Sequence, residues 1–201
     1  MSLEGIRAEL SALRAALEAD GVVAELGEVN WTYDADAKHI EAVRPAEVIV
    51  MGFNAGGGGT GSEGKWKRNC EKLSEGFDGF MLAELILIAS HNVGALKQAH
   101  GSLPSLIQAC SGVNKAVIAH HKPRVILHTG FTEIEAVQSA YGLVEKAEKQ
   151  RRPAHDTHTL LRHFAMADGT PWLSIKHPSS MGFSNQDVSA IRSYARKVCE
   201  A

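Results

Sequence analysis

The chain has 201 residues, 44% of them apolar and 22% charged, with a formal net charge of −2. These values fit one globular domain with a sizeable core and exclude a strongly basic protein that coats nucleic acid. A local basic groove stays open, because phosphate binding needs a patch rather than an overall excess. Three scattered cysteines (Cys70, Cys110 and Cys199) with no CxxC pair argue for a reducing, cytoplasmic setting. They also argue against a disulfide framework or an iron–sulfur cluster. No apolar run reaches membrane-spanning length and no signal-peptide pattern opens the chain, so no membrane partner is expected.

Leu3, Ile6, Leu10, Leu13 and Leu17 recur at spacings of three and four, which predicts an amphipathic N-terminal helix over 1–21 that Gly21 stops. Two and a half heptads are too few for a coiled coil, so the apolar stripe is read as core packing. Residues 28–46 are polar and irregular, with Trp31 and Tyr33 as anchors. Glu47 to Gly52 is apolar without alternation and predicts a fully buried strand. Gly56 to Gly64 is a glycine-rich loop, and Lys65 to Gly76 reads as a short helix.

Phe80 to Ala89 is a second apolar run, read as a strand. Leu106, Cys110, Val113 and Val117 give helical spacing across Leu103 to His121. Arg124 to Gly130 predicts a strand ending in glycine. Thr132 then caps a predicted helix running to about Gln150, with Glu135 at the capping-box position. Trp172 to Lys176 is the last strand, and Asp187 to Cys199 is a closing helix. A helix followed by strands alternating with helices predicts an α/β layered sheet.

Two strand ends stand out: Val48-Ile-Val-Met-Gly-Phe-Asn-Ala-Gly-Gly57 and Trp172-Leu-Ser-Ile-Lys-His-Pro-Ser-Ser-Met-Gly-Phe183. Each is an apolar run that stops in small residues and one polar side chain, Asn54 or His177. Ligands of open parallel sheets bind where strands end, so the pair points to one site built from distant parts of the chain. The stretch Gly59-Thr-Gly-Ser-Glu-Gly-Lys65-Trp66 approaches a P-loop, but Trp66 stands where a Mg²⁺-binding hydroxyl is needed. A glycine loop can still bring backbone N–H groups close to a phosphate or a base. His155, His158 and His163 raise a metal site, but Pro153 breaks the helix that would align them, so no metal and no cofactor is expected. Lys146, Lys149, Arg151 and Arg152 read as a solvated helix end.

Gly52-Phe-Asn-Ala-Gly56 after a buried strand resembles motif A of the uracil-DNA glycosylase superfamily, nearest the mismatch-specific and single-strand-selective branches. His177-Pro-Ser-Ser-Met-Gly resembles its motif B. Gly61 to Leu73 and Pro123 to Gly130 extend the likeness, which covers about residues 45–190 and leaves the N-terminal helix outside. The resemblance implies a three-layer α/β/α sandwich on a four-stranded parallel sheet, acting as a monomer on DNA. It implies hydrolysis of the N-glycosidic bond of a damaged, uracil-like or deaminated base flipped out of the stack. Asn54 would orient the attacking water, and His177 would donate to the carbonyl oxygen where the leaving charge grows. Phe53 and Trp66 would stack on the base, beside Gly52. Met181 and Phe183 lie where the wedge is carried, next to Ser179 and Ser180, while Lys65, Lys67 and Arg68 would contact phosphates.

The pattern departs in two places. Ala55 replaces the motif-A proline, and the family's base-reading asparagine on the second strand falls on Glu84. Ser90 and Asn92 are alternatives for that role. An ionised glutamate only accepts hydrogen bonds, so Glu84 favours a base edge rich in N–H donors or else holds a protonated carboxyl. A catalytically weak base-binding protein of the same fold, or an enzyme acting on a free nucleoside or nucleotide, are the alternatives.

Overall fold

The computed structural model describes residues 2–23, 46–56, 62–90, 93–153 and 155–200. Trp31, Tyr33, Asn92 and the glycine run 57–61 lie outside the described residues. The chain order is α1 (Leu3–Ala19), β1 (Val48–Gly56), α2 (Ser62–Ser74), β2 (Phe80–Ser90), α3 (Val93–His100), α4 (Leu103–His121), β3 (Val125–Thr129), α5 (Ile134–Tyr141), β4 (Val144–Arg152), β5 (His155–Ala165), β6 (Pro171–Ile175) and α6 (Asn185–Glu200).

Among the described residues the sheet has six strands in the order β2-β1-β3-β6-β5-β4. The four expected strands are its parallel core: β1 pairs β2 and β3, and β3 pairs β6, all parallel. The expectation of a four-stranded sheet is corrected by a hairpin. β5 runs antiparallel to β6, and β4 runs antiparallel to β5 at the edge. The long helix expected up to Gln150 is therefore only α5. It starts after Glu133, which has φ 53° and makes no side-chain cap, and it ends at Gly142 in the left-handed region with φ 64°. The next residues, Val144-Glu-Lys-Ala-Glu-Lys-Gln-Arg-Arg152, favour a helix by local propensity. Pairing with β5 overrides that preference, and their charges suit an exposed sheet edge.

Alternate strand residues feed two buried clusters. Ile49, Met51, Met81, Ile126, Trp172 and Phe164 join α1, α4 and α5. Val48, Val50, Val125, Leu127, Leu173 and Ile175 join α2 and α6. The α1 stripe is core packing, as its spacing predicts: Ile6, Leu10, Leu13 and Leu17 are buried, and the helix lies on α4. Ser2 caps its start by accepting from the Gly5 N–H at 3.3 Å. Both Cys70 and Cys110 are buried free thiols. No described helix is long and apolar enough to cross a membrane.

Candidate functional site

Because β1, β2, β3 and β6 are parallel, their carboxyl ends share one edge of the sheet. After β1 the chain goes to β2 on one side, and it returns to β3 on the other. Such a switch point opens a crevice at the carboxyl edge. Asn54 lies on the last part of β1, where its backbone pairs with Ile86; its side chain is outside the described part of the structure. The segment after β6 carries His177 to the same edge.

The local fold of residues 177–184 fixes the state of His177. The chain turns back at once: Ser180 N–H donates to the His177 carbonyl at 2.9 Å and Ser180 Oγ donates to it at 2.7 Å. Phe183 N–H donates to the Ser180 carbonyl at 3.2 Å. The turn brings the Ser179 N–H within 3.3 Å of His177 Nδ1 and Ser179 Oγ within 2.8 Å of it. A backbone N–H can only donate, so Nδ1 is the acceptor and the neutral ring carries its proton on Nε2. Burial holds the His177 pKa below the ordinary imidazole value, which keeps the ring neutral at pH 7. Nε2 makes no hydrogen bond to another described residue, and it is free to donate to a ligand.

Gly130, the first residue after β3, lies beside that ring with no side chain of its own. Its φ of 108° requires glycine, its N–H donates to the Ile175 carbonyl at 2.7 Å, and a Cβ there would lie 3.9 Å from His177 Cδ2. Behind it, His128 on β3 is fully buried. His128 Nδ1 contacts Ser174 Oγ at 3.0 Å, and its Nε2 has no partner among the described residues. Burial, with a smaller push from His177, lowers the His128 pKa to about 3.

An ion pair from the hairpin ties the loop down. Arg152, at the end of β4, donates from Nε to Asp187 Oδ1 at 3.1 Å and from Nη2 to Asp187 Oδ2 at 2.7 Å. The same Nη2 donates to the Gly182 carbonyl. Asp187 also accepts from Ser184 N–H at 2.9 Å, which caps α6. Burial raises the Asp187 carboxyl, but Arg152 and Ser184 outweigh it and hold its pKa below the usual value. The reading of Arg152 as part of a solvated helix end is thus corrected: it is 7% exposed and bridges the edge strand, the loop and α6. Next to His177, Lys176 donates to the Met181 carbonyl at 3.3 Å. Burial first, then the Arg152 charge, lower its pKa.

From the other side, α2 approaches the same loop: Asn69 Nδ2 donates to the Pro178 carbonyl at 2.8 Å. Its neighbour Cys70 is close enough to Glu84 for the carboxylate to raise the thiol pKa, after the larger effect of burial. Glu84 pairs in register with Gly52. Its carboxyl lies over the Gly52 α-carbon, where an added Cβ would come within 2.8 Å of Oε1. Glu84 is 9% exposed, and its Oε2 has no partner among the described residues. Burial alone drives its pKa up to about 8.

The structure therefore sets two groups against α2: Gly52 with Glu84 near Cys70, and the loop of His177, Ser179 and Ser180 through Asn69. It divides the two expected stacking residues: Phe53 packs on the α1–α4–α5 cluster, and Trp66 packs on the α2–α6 cluster. Lys65, Lys67 and Arg68 are exposed on the first turns of α2. Met181 is 94% exposed at the loop tip, whereas Phe183 is half-buried against the α2–α6 cluster. Among the described residues no three His, Cys, Asp or Glu side chains converge on a metal position. His163 contacts the Tyr194 hydroxyl through Nδ1 at 3.2 Å. His128, Lys176 and the Arg152–Asp187 pair were missed as site residues. His128 alone left a local signal, a titratable side chain inside an otherwise apolar strand. No protein-family model matches the chain, and no curated protein matches it significantly.

Proposed function

We propose that the protein is a monofunctional DNA glycosylase-like hydrolase, built as a three-layer α/β/α sandwich. It would hydrolyse the N-glycosidic bond of a damaged base held at the carboxyl edge of the sheet, acting as a cytoplasmic monomer without metal or cofactor. One observation carries this reading: His177 is a neutral imidazole with Nε2–H free, on the edge it shares with Asn54. Bond cleavage leaves the base as an anion and the sugar as an oxocarbenium-like cation. A preorganised N–H aimed at the growing negative charge lowers such a barrier by about 3–4 kcal/mol. A neutral donor stays fixed in place without a proton to lose at pH 7. Asn54 orients the water that attacks the sugar carbon. Gly52, Glu84 and Trp66 bound the base, with Phe53 beneath the strand. Lys65, Lys67 and Arg68 meet the phosphates, and exposed Met181, with Ser179, Ser180 and Phe183 behind it, enters the space the base vacates.

A second reading is a base-binding protein of the same fold with weak catalysis. It is favoured by Gly52-Phe-Asn-Ala-Gly-Gly-Gly-Gly-Thr-Gly61, which has no acidic residue to take a proton from water. The test is a single-turnover panel on single- and double-stranded oligonucleotides carrying uracil, hypoxanthine, xanthine or an oxidised pyrimidine, with Asn54→Ala and His177→Ala as controls. Alkali-labile abasic product that both variants abolish is the expected result. No product from any substrate would sink the hydrolase reading. Binding without cleavage would leave the second.

A further inference from the structure

We propose that the free end of the β4–β5 hairpin, with exposed Lys149 and Arg151, is an arm that contacts the sugar–phosphate backbone of DNA beside the candidate site. The arm rests on the reading above only in taking DNA as the ligand, and it adds a backbone contact remote from α2. Register sets its position. Ile175, the last residue of β6, pairs with Leu161, and Leu161 pairs with Gln150. Arg151, Arg152 and residues 155–160 therefore lie past the end of β6, beyond the carboxyl edge that carries His177. β5 bulges there, since Arg151 pairs with Thr159 whereas Arg152 pairs with His155. Arg151 Nη1 spans the bulge and donates to the Thr157 carbonyl at 3.2 Å. The buried Arg152 ties the arm to the loop of His177 through both Asp187 oxygens and the Gly182 carbonyl. A surface held in place before binding loses little freedom when it binds.

Charge selects the ligand. Two nearby acids are already paired within the protein, Asp187 with Arg152 and Glu145 with Arg162. Lys146, Lys149, Arg151 and Lys176 outnumber the other acids of the hairpin, Glu148 and Asp156. Lys149 and Arg151 are exposed, as a contact with an external anion requires. The loop of His177 lies between this arm and α2, because Asn69 holds its Pro178 carbonyl and Arg152 holds its Gly182 carbonyl. The first turns of α2 carry Lys65, Lys67 and Arg68. α2 follows β1, and four strand spacings separate β1 from β4, about 19 Å. At about 3.4 Å per phosphate along one strand of a duplex, one backbone reaches both groups of cations with about six nucleotides.

The test is the salt dependence of binding, read by fluorescence anisotropy with undamaged, labelled 20-mers, single- and double-stranded, from 50 to 400 mM NaCl. Lys149→Gln/Arg151→Gln removes both charges, and glutamine at 151 still has an N–H for the Thr157 carbonyl. Lys115→Gln/Lys197→Gln removes the same charge from exposed positions on α4 and the last turns of α6. Lys149→Arg/Arg151→Lys keeps the charge on the arm. For two lost phosphate contacts, the slope of log K against log salt should become shallower by about 1.8 on duplex or 1.4 on single strand. The remote pair and the charge-keeping pair should retain the wild-type slope. If the double glutamine variant does not fold, each single variant should lose about half as much. An unchanged slope in the glutamine variants, an equal loss in the remote pair, or no wild-type binding to either 20-mer at 50 mM NaCl would each overturn the inference. The cleavage panel is read separately. Arm-dependent binding without cleavage would drop only the hydrolase reading, and cleavage with an unchanged slope would drop only the arm.

Discussion

The buried Glu84 carboxyl should make the fold weaker as pH rises through neutrality, and replacing it with glutamine should remove that effect. Its native pKa near 8 lies above the ordinary value of 4.5. The native state therefore holds a proton that the unfolded chain has released across this window. Stability is greatest below about 4.5 and is lost as pH climbs towards 8, at about 1.4 kcal/mol per pH unit. At pH 7 the accumulated loss is roughly 3 kcal/mol, a large fraction of the 5–15 kcal/mol typical of a domain. Glu84→Gln keeps the shape over Gly52 and cannot ionise. Urea unfolding followed by circular dichroism at pH 4.5, 6, 7 and 8.5 measures the difference, with equal m values as the check on two-state behaviour. The variant should gain on the wild type steadily over this range and level off above pH 8. A gap that stays constant from pH 4.5 to 8.5 would show that Glu84 is ionised throughout, and the reasoning would fail.

Three further outcomes follow from the same geometry. His128 has its native pKa depressed to about 3, so its contribution is present above 6.5 and is lost as pH falls towards 3. His128→Leu should flatten the acid side of the stability curve. With Glu84 acting in the opposite sense, the wild type should be most stable between about pH 4.5 and 6.5; greater stability at pH 8 than at pH 6 would contradict the Glu84 assignment, because His128 by itself favours the higher pH. Asp187→Ala leaves Arg152 buried without its partner and should cost about 3–5 kcal/mol, read as a fall in melting temperature. An unchanged melting temperature would mean that the pair does not hold the loop. On the proposed hydrolase reading, His177→Ala should lower the single-turnover rate by about 10²–10³ with little change in DNA affinity, because the donor would act on charge that develops in the transition state. In the wild type, the acid limb of that rate should lie below pH 6.5, where His177 gains its second proton and Nδ1 can no longer accept from Ser179.

The parallel core was legible because its strands are buried on both faces: Val48 to Met51, Phe80 to Ile88, Val125 to Leu127 and Trp172 to Ile175 are apolar runs broken only by Glu84 and Ser174. β4 was not legible. Residues 145–152 carry charges with helical propensity, and only their partner β5 makes them a strand. The break at Gly142 was a readable stop that the Thr132 and Glu135 capping pattern outweighed. In the site, His177 with Ser179 two residues on is a local arrangement, visible in sequence as a loop of small polar residues. Arg152 and Asp187 lie thirty-five residues apart, and nothing local links them. Glu84 was visible as an exception in an apolar run. Its place over Gly52 depends on the register of β1 against β2, which sequence does not fix.

The unexpected hairpin and the expected site are connected by that long-range pair. If His177 is the donor proposed above, its loop must hold its position to a fraction of an ångström, because misplacement by about 1 Å can cost 10² in rate. In residues 177–184 the local hydrogen bonds set the turn, but they do not anchor it to the sheet. Two hydrogen bonds from outside the loop hold it: Asn69 on the Pro178 carbonyl and Arg152 on the Gly182 carbonyl. They come from α2 and from β4 of the sheet. The β4 contact exists only because 144–152 pairs as a strand, which brings Arg152 to Asp187 at the start of α6. Melting β4 would release Arg152 and leave Asp187 buried without its cation. The charged edge strand is thereby coupled to the orientation of Nε2–H on His177, although it contributes no group to the proposed chemistry.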